Sequence, residues 1–239
     1  MRFNCPLSDE KADHLIRILE LSEGDRVIDV GCGKGEFLLQ LVEHFKAQGL
    51  GIDCHSGVIA IARESAETRI SRGSCDFRQS DICDLSLADN SFAAAICIGS
   101  THAYGVGKMA FPNALKELKK MVKPGGKILI GEGYWKQTPD PEYLKRIGDP
   151  VGIYHTHHEI IQFAESQGLS TLYALVSNED EWDQFEWSHQ MNIVKESQLR
   201  PMDPEVSEKL LRRKQWMEGY LRWGRSTMGF GFYLFQNPI

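Results

Sequence analysis

The sequence predicts an α/β fold in which a mostly parallel sheet is covered by helices on both faces. Three observations carry that expectation. Short apolar runs alternate with amphipathic segments along most of the 239 residues. The amphipathic segments are long enough to be helical crossovers between parallel strands. A glycine-rich turn, VIDVGCGKGEF at residues 27 to 37, stands where the first apolar run hands over to a helix.

The elements follow in order. DEKADHLIRILEL opens with acids and places Leu15, Ile16 and Leu19 at helical spacing, which predicts a first helix. RVIDVG reads as a buried strand, KGEFLLQLVEHFKAQ as a helix, GLGIDC as a second strand and SGVIAIARESAETRISRG as a helix. CDFRQSD and SFAAAICIGS are the third and fourth strands. FPNALKELKKMV is the next helix, and Pro124, Gly125 and Gly126 introduce a fifth strand, GGKILIGEG. Thr156 followed by Glu159 is a capping box ahead of EIIQFAESQG, which makes His157 and His158 exposed first-turn residues rather than parts of a metal cluster with His155. STLYALVS is a sixth strand. Residues 178 to 227, charged and rich in tryptophan, read as a two-helix insertion, and MGFGFYLFQ as the seventh strand. The chain thus reads as a single domain, 1 to 239, whose insertion is a lid over a pocket.

Composition narrows the class. With 42% hydrophobic and 25% charged residues the chain has the balance of a globular protein. No apolar run reaches the roughly 18 to 20 residues that span a bilayer, and MRFNCPLSDEKADHL lacks the pattern of a signal peptide, so a cytoplasmic enzyme without membrane insertion is expected. The net charge of −6 opposes a nucleic-acid partner, and LRRK at 211 to 214 is expected to be a solvated helix face. Six cysteines without a C-x-x-C pair predict reduced, structural thiols and no metal.

In sheets of this kind ligands gather at the carboxyl ends of the strands. Gly31, Gly33 and Gly35 remove β-carbons there, allow positive φ and let the backbone approach a ligand, while the helix start is expected to offer free N–H groups. The dinucleotide fingerprint G-x-G-x-x-G needs glycine at position 36, where Glu36 stands and would repel a pyrophosphate. Asp53 ends the second strand, where a carboxylate can hold ribose hydroxyls, and Asp81 with Ile82 follows the third, placed for an adenine edge and face.

Together VIDVGCGKGEF, GIDCHSGVIAIA, QSDICDLSLADNSFAAAICIGSTHAYG and LKKMVKPGGKILIGEGYW resemble the class I S-adenosylmethionine-dependent methyltransferases, over roughly residues 10 to 175. Ala93 departs from the pattern, since many relatives carry an aspartate there. The resemblance implies a Rossmann-like seven-stranded sheet with an antiparallel last strand beside the fifth. It implies S-adenosyl-L-methionine as cofactor, with Gly31, Gly33 and Gly35 bordering the methionine part, Asp53 on the ribose and Asp81 on the adenine amino group. Asp29, Cys32, Cys54, Ser80, Ile82, Gly99 and Ser100 complete the expected cofactor site.

The implied chemistry is an in-line displacement at the sulfonium methyl by a small-molecule acceptor, for which the protein supplies alignment, dryness and, where needed, a base. His102 is the first candidate for that base and Glu132 the second. Tyr104, Tyr134, Trp135, Tyr154 and Trp182 are expected to shape the acceptor pocket, and the tryptophans and acids of the insertion could form a cage for a cationic acceptor. Other readings are a non-catalytic cofactor-binding protein, an RNA methyltransferase and a nicotinamide-dependent oxidoreductase. The oligomeric state is not encoded in these patterns.

Overall fold

The computed structural model describes residues 2–148 and 153–239. In chain order the strands are β1 Arg26–Val30, β2 Gln48–Asp53, β3 Cys75–Gln79, β4 Phe92–Ile98, β5 Val122–Trp135, β6 His155–Thr156, β7 Ser170–Val176 and β8 Met228–Gln236. The helices are α1 Asp9–Arg17, α2 Glu36–Phe45, α3 Ser56–Arg69, α4 Ala110–Met121, α5 Pro141–Arg146, α6 His157–Ser166, α7 Glu179–Leu199 and α8 Pro204–Gly219. The strand order is β3-β2-β1-β4-β5-β8-β7, with the two-residue β6 paired to the end of β5. The seven predicted strands are all present, and β6 makes an eighth. Neither β6 nor α5 is anticipated by the sequence reading, because both are too short to show a period.

Strands β1 to β5 run parallel, whereas β8 lies antiparallel between β5 and β7. The alternation of side chains along each strand divides the core into two. Val27, Ala94, Ile96, Leu129, Phe232 and Leu234 pack on one face, and Ile28, Val30, Ala95, Cys97, Ile128 and Phe235 on the other. Strand β8 is buried from Met228 to Phe235. Burying each large apolar side chain of that strand contributes about 1.5–3 kcal/mol, which holds the antiparallel strand between β5 and the edge strand β7.

Capping fixes the helix starts. Thr156 Oγ1 accepts the Glu159 amide at 3.2 Å while Glu159 Oε2 accepts the Thr156 amide at 2.7 Å, as the T-x-x-E spacing predicts. His158 is exposed, but His157 is half-buried, its Nδ1 3.0 Å from the Tyr233 hydroxyl, so only one of the two expected surface histidines is at the surface. Asn178 and Glu181 make a second capping box at the start of α7.

Helices α7 and α8 lie against each other between β7 and β8. Four acids of α7 are committed to ion pairs: Glu181 to Lys11, Asp183 and Glu179 to Arg225, and Glu186 to Arg213. Arg213 therefore turns inward, and only part of LRRK is a solvated face.

Candidate active site

The carboxyl ends of β1 to β4 open into one cavity of about 690 Å³, within the range of small-molecule sites. From the first strand end come Asp29, Gly31, Cys32 and Gly33, from the second Asp53 and Cys54, from the third Ser80, Asp81 and Ile82, and from the fourth Gly99, Ser100 and His102. Eleven of the twelve expected cofactor residues thus line one space.

Gly35 is the exception. It caps α2 in the left-handed region at φ 76°, and a β-carbon there would stand 2.6 Å from the Phe77 ring and 3.1 Å from the Ala62 β-carbon. Its bareness lets α2 close onto β3 and α3. Gly31, at φ 73°, would drive a β-carbon to 2.1 Å from Ser100 Oγ, so the ends of β1 and β4 approach only because that residue has no side chain.

Four amides of the glycine turn are bound within the chain, and no side chain caps the start of α2, whose first amides therefore stay available as expected. The Gly31 and Cys32 amides donate to the Ile52 carbonyl at 2.8 and 3.0 Å, Gly33 to the Asp53 carboxylate at 2.9 Å, and Gly35 to the Cys32 carbonyl at 2.9 Å. The turn is spent on tying β1 to β2. Flanked by Asp29, Asp53 and Asp81, it suits a cationic ligand better than a phosphate.

Electrostatics sharpen this. Burial pushes the Asp29 carboxyl up to about 7, and the charge of Asp53 adds to the shift. Glu36 also lines the cavity, but not as an isolated charge: it pairs with Arg69 at 2.7 Å and Arg2 at 3.0 Å and accepts from Gln40 at 2.7 Å. Burial raises its pKa, yet these partners together hold it below the usual range. The repulsion of a pyrophosphate expected from Glu36 is therefore weakened, and the acids Asp29, Asp53 and Asp81 at the strand ends add to it.

The acceptor side differs from the sequence expectation. Glu132, Tyr104, Tyr134, Trp135, Tyr154 and Trp182 are not among the residues that line the cavity. Glu132 is held beneath the short turn Thr101–Tyr104, hydrogen-bonded to Thr101, and burial pushes its pKa up to about 7. Tyr104 is buried in the core with Phe111. Tyr134 lies over Gly229, Tyr154 over Gly133, and Trp135 packs edge-on against Tyr143 and Tyr154. Trp182 stacks on Tyr220 inside the insertion. These rings are packing, and Glu179, Glu181, Asp183 and Glu186, expected as the acids of a cage, are ion-paired instead.

The wall they were expected to build comes from two other places. Arg2, Phe3, Asn4, Cys5 and Leu7 of the N-terminal segment close one side, and His189 and Asn192 of α7 close another. Phe3 packs edge-on against Phe37, and Arg2 is tethered to Asp9 and Glu36. The segment 2 to 7 has no periodicity to reveal it. His189 and Asn192 do carry a signal, a polar pair three residues apart on one side of α7.

A family model described as a methyltransferase domain matches residues 27–126. A solved methyltransferase from Geobacter sulfurreducens, in complex with S-adenosyl-L-homocysteine, superposes with a TM-score of 0.87 at 25% identity, covering 98% of this chain and 93% of that one. Residues 27–126 are a methyltransferase domain, and the chain has the fold of the S-adenosylmethionine-dependent methyltransferases. The family's seven-stranded order with an antiparallel strand beside β5 is the order found here. The uncharacterized Escherichia coli protein YjhP is 26% identical over 237 residues, 97% of this methyltransferase and 92% of YjhP. The 2-phytyl-1,4-naphtoquinone methyltransferase of Synechococcus elongatus is 34% identical over 119 residues, 48% of this chain and about half (49%) of that relative's length.

S-adenosyl-L-methionine is the cofactor of this methyltransferase, and the cavity fits it on its own chemistry. An added β-carbon at Gly33 would meet nothing within 4 Å, so the turn is open to a ligand there, and the acids at the strand ends suit a molecule with cationic centres. Among the described residues no helix is long and apolar enough to cross a membrane.

Proposed function

We propose that the enzyme methylates a small-molecule acceptor in this cavity, with His102 as the base. The observation that carries the reading is the shared cavity of about 690 Å³, in which the strand-end residues and His102 stand with the N-terminal segment and α7, a size that suits a small molecule. Methyltransferase relatives with small acceptors, such as the quinone enzyme, support it.

In this reading Asp53 holds the ribose, Asp81 and Ile82 the adenine, and Gly31 and Gly33 border the methionine part, with Asp29, Cys32, Cys54, Ser80, Gly99 and Ser100 around them. The bound cofactor supplies a methyl group on an already activated sulfonium. The chain then has to align the acceptor, exclude water and take up a proton. The turn Thr101–Tyr104 lets His102 reach the cavity from the end of β4, and its ring receives the proton the acceptor loses. Glu132 acts only through Thr101, as a positioning residue. Helices α7 and α8 serve as the cover.

The test is release of S-adenosylhomocysteine from S-adenosylmethionine in a fractionated metabolite extract. Turnover with fractions below the size of oligonucleotides and proteins supports the reading. Turnover confined to an RNA or protein fraction overturns it, and His102→Ala with undiminished turnover removes the base assignment.

A further inference from the structure

The acceptor half of the cavity has a charge pattern of its own. Away from the strand ends its wall is Phe3, Asn4, Cys5 and Leu7 with His189 and Asn192. Arg2, the cation nearest this wall in sequence, is bound to Asp9 at 3.1 Å and to Glu36 at 3.0 Å. Glu186 and Asp183 of α7 are likewise engaged. Glu186 accepts from Arg213 at 2.6 Å and from the Trp216 indole at 2.8 Å, and Asp183 from the Tyr220 hydroxyl at 2.6 Å.

Lys34 and the acids at the strand ends lie on the cofactor side of the cavity, so among the described residues of this wall a charged acceptor would meet no unpaired side chain of opposite charge, and burying an unpaired charge is costly. An uncharged hydroxyl has no such penalty. It can donate and accept at once, and an imidazole and a carboxamide offer both functions in return.

We propose that His189 and Asn192, with Asn4 of the N-terminal segment, form the acceptor subsite, and that it takes an uncharged molecule carrying a hydroxyl group. His189 and Asn192 are three residues apart and so project from the same side of α7. The Phe185 ring stands edge-on to the His189 imidazole, centroids 4.8 Å apart, and fixes its plane. Burial and then the nearby Arg213 hold His189 below its ordinary pKa against the opposing pull of Glu186, which keeps the ring neutral with one donor and one acceptor nitrogen. His189 and Asn192 are positioning residues, and the proton still leaves through His102.

This assignment rests on the cavity being a methyltransferase active site, and the test separates the two. Enzyme saturated with S-adenosylhomocysteine is titrated calorimetrically with resorcinol and 2-naphthol as uncharged hydroxyl probes, and with tetramethylammonium and benzoate as charged ones. Crystals are soaked with whichever probe binds. The expected result is an uncharged probe bound against His189 and Asn192. Its affinity falls at least about tenfold in His189→Leu and in Asn192→Leu, the loss expected for a hydrogen bond removed from a buried partner. His189→Gln should recover part of it, and S-adenosylhomocysteine affinity should be unchanged throughout. Neither hydroxyl probe binding, tighter binding of a charged probe, or equal binding by the leucine variants overturns the subsite. If S-adenosylhomocysteine itself does not bind the unaltered enzyme, the active-site reading falls first and the subsite with it.

Discussion

The Asp53 carboxylate reaches back from the end of β2 to accept the Gly33 amide at 2.9 Å, and its other oxygen accepts the His55 amide at 2.9 Å. One side chain thereby joins the glycine turn to the start of α3, and any ligand that uses Asp53 does so at a carboxylate already oriented on both oxygens.

Asp53→Ala is expected to weaken S-adenosylhomocysteine binding by about 1.5–3 kcal/mol, the range for a hydrogen bond to a charged group. Asp53→Asn should lose less, because its amide oxygen can still accept from Gly33. Titration calorimetry on the three proteins checks the order, and equal affinities would remove Asp53 from the cofactor site.

Gly31→Ala should cost both binding and folding, since the new β-carbon would fall 2.1 Å from Ser100 Oγ and the residue sits at φ 73°. In the double variant Gly31→Ala with Ser100→Gly the collision is relieved. The left-handed backbone still costs about 1–2 kcal/mol. Thermal unfolding should therefore place the double variant between wild type and the single variant, and a Gly31→Ala protein as stable as wild type would contradict the close approach.

Cofactor binding should release a proton. Asp29 holds its proton up to about 7 in the free enzyme, and a cationic ligand in the same cavity favours the ionised form. Affinity should accordingly rise with pH up to about 7 and level off above. Binding enthalpies measured near neutrality in buffers of different ionisation heat should differ, and the difference should vanish in Asp29→Asn. Buffer-independent heats for the wild type would show that Asp29 does not sense the ligand.

Glu132 sets a pH dependence of stability. Its folded pKa of about 7 lies above the ordinary carboxylate value of 4.5, so the folded state keeps a proton that the unfolded state gives up between those values. Stability should fall as pH rises through that window and stay level above it. Glu132→Gln should flatten part of the slope and gain on the order of 1–3 kcal/mol at pH about 8, leaving the part due to Asp29. Urea unfolding at either end of the window measures it, and a Gln variant no more stable than wild type at the upper end would refute the buried-carboxyl account.

Period and punctuation make the fold legible in the sequence: the runs around Val27, Leu50, Ala95 and Leu129 are all parallel strands, and Thr156 with Glu159 caps a helix as the spacing requires. The strand-end residues are legible for the same reason, because topology alone brings Asp29, Asp53, Asp81 and Ser100 together. Gly35 was not separable from Gly31 by sequence, since a glycine bared for a ligand and one bared for a ring look alike. The acceptor wall was illegible on different grounds. Large aromatics such as Trp182 and Tyr134 gain more from burial against each other than from lining a wet cavity. The short segment carrying Phe3 and Asn4 has no repeat by which its course could be read.

The place of β8 between β5 and β7 also orders the birth of the protein. Until residues 228–236 leave the ribosome, β5 has an open edge on one side and β7 has no neighbour, so most of the chain waits as an incomplete sheet with exposed backbone donors and acceptors. The cofactor-holding strands β1 to β4 need no part of β8 to pair with one another. A nascent chain can thus pair the strands that carry the nucleoside end of its pocket early, and the last strand completes the sheet beneath it.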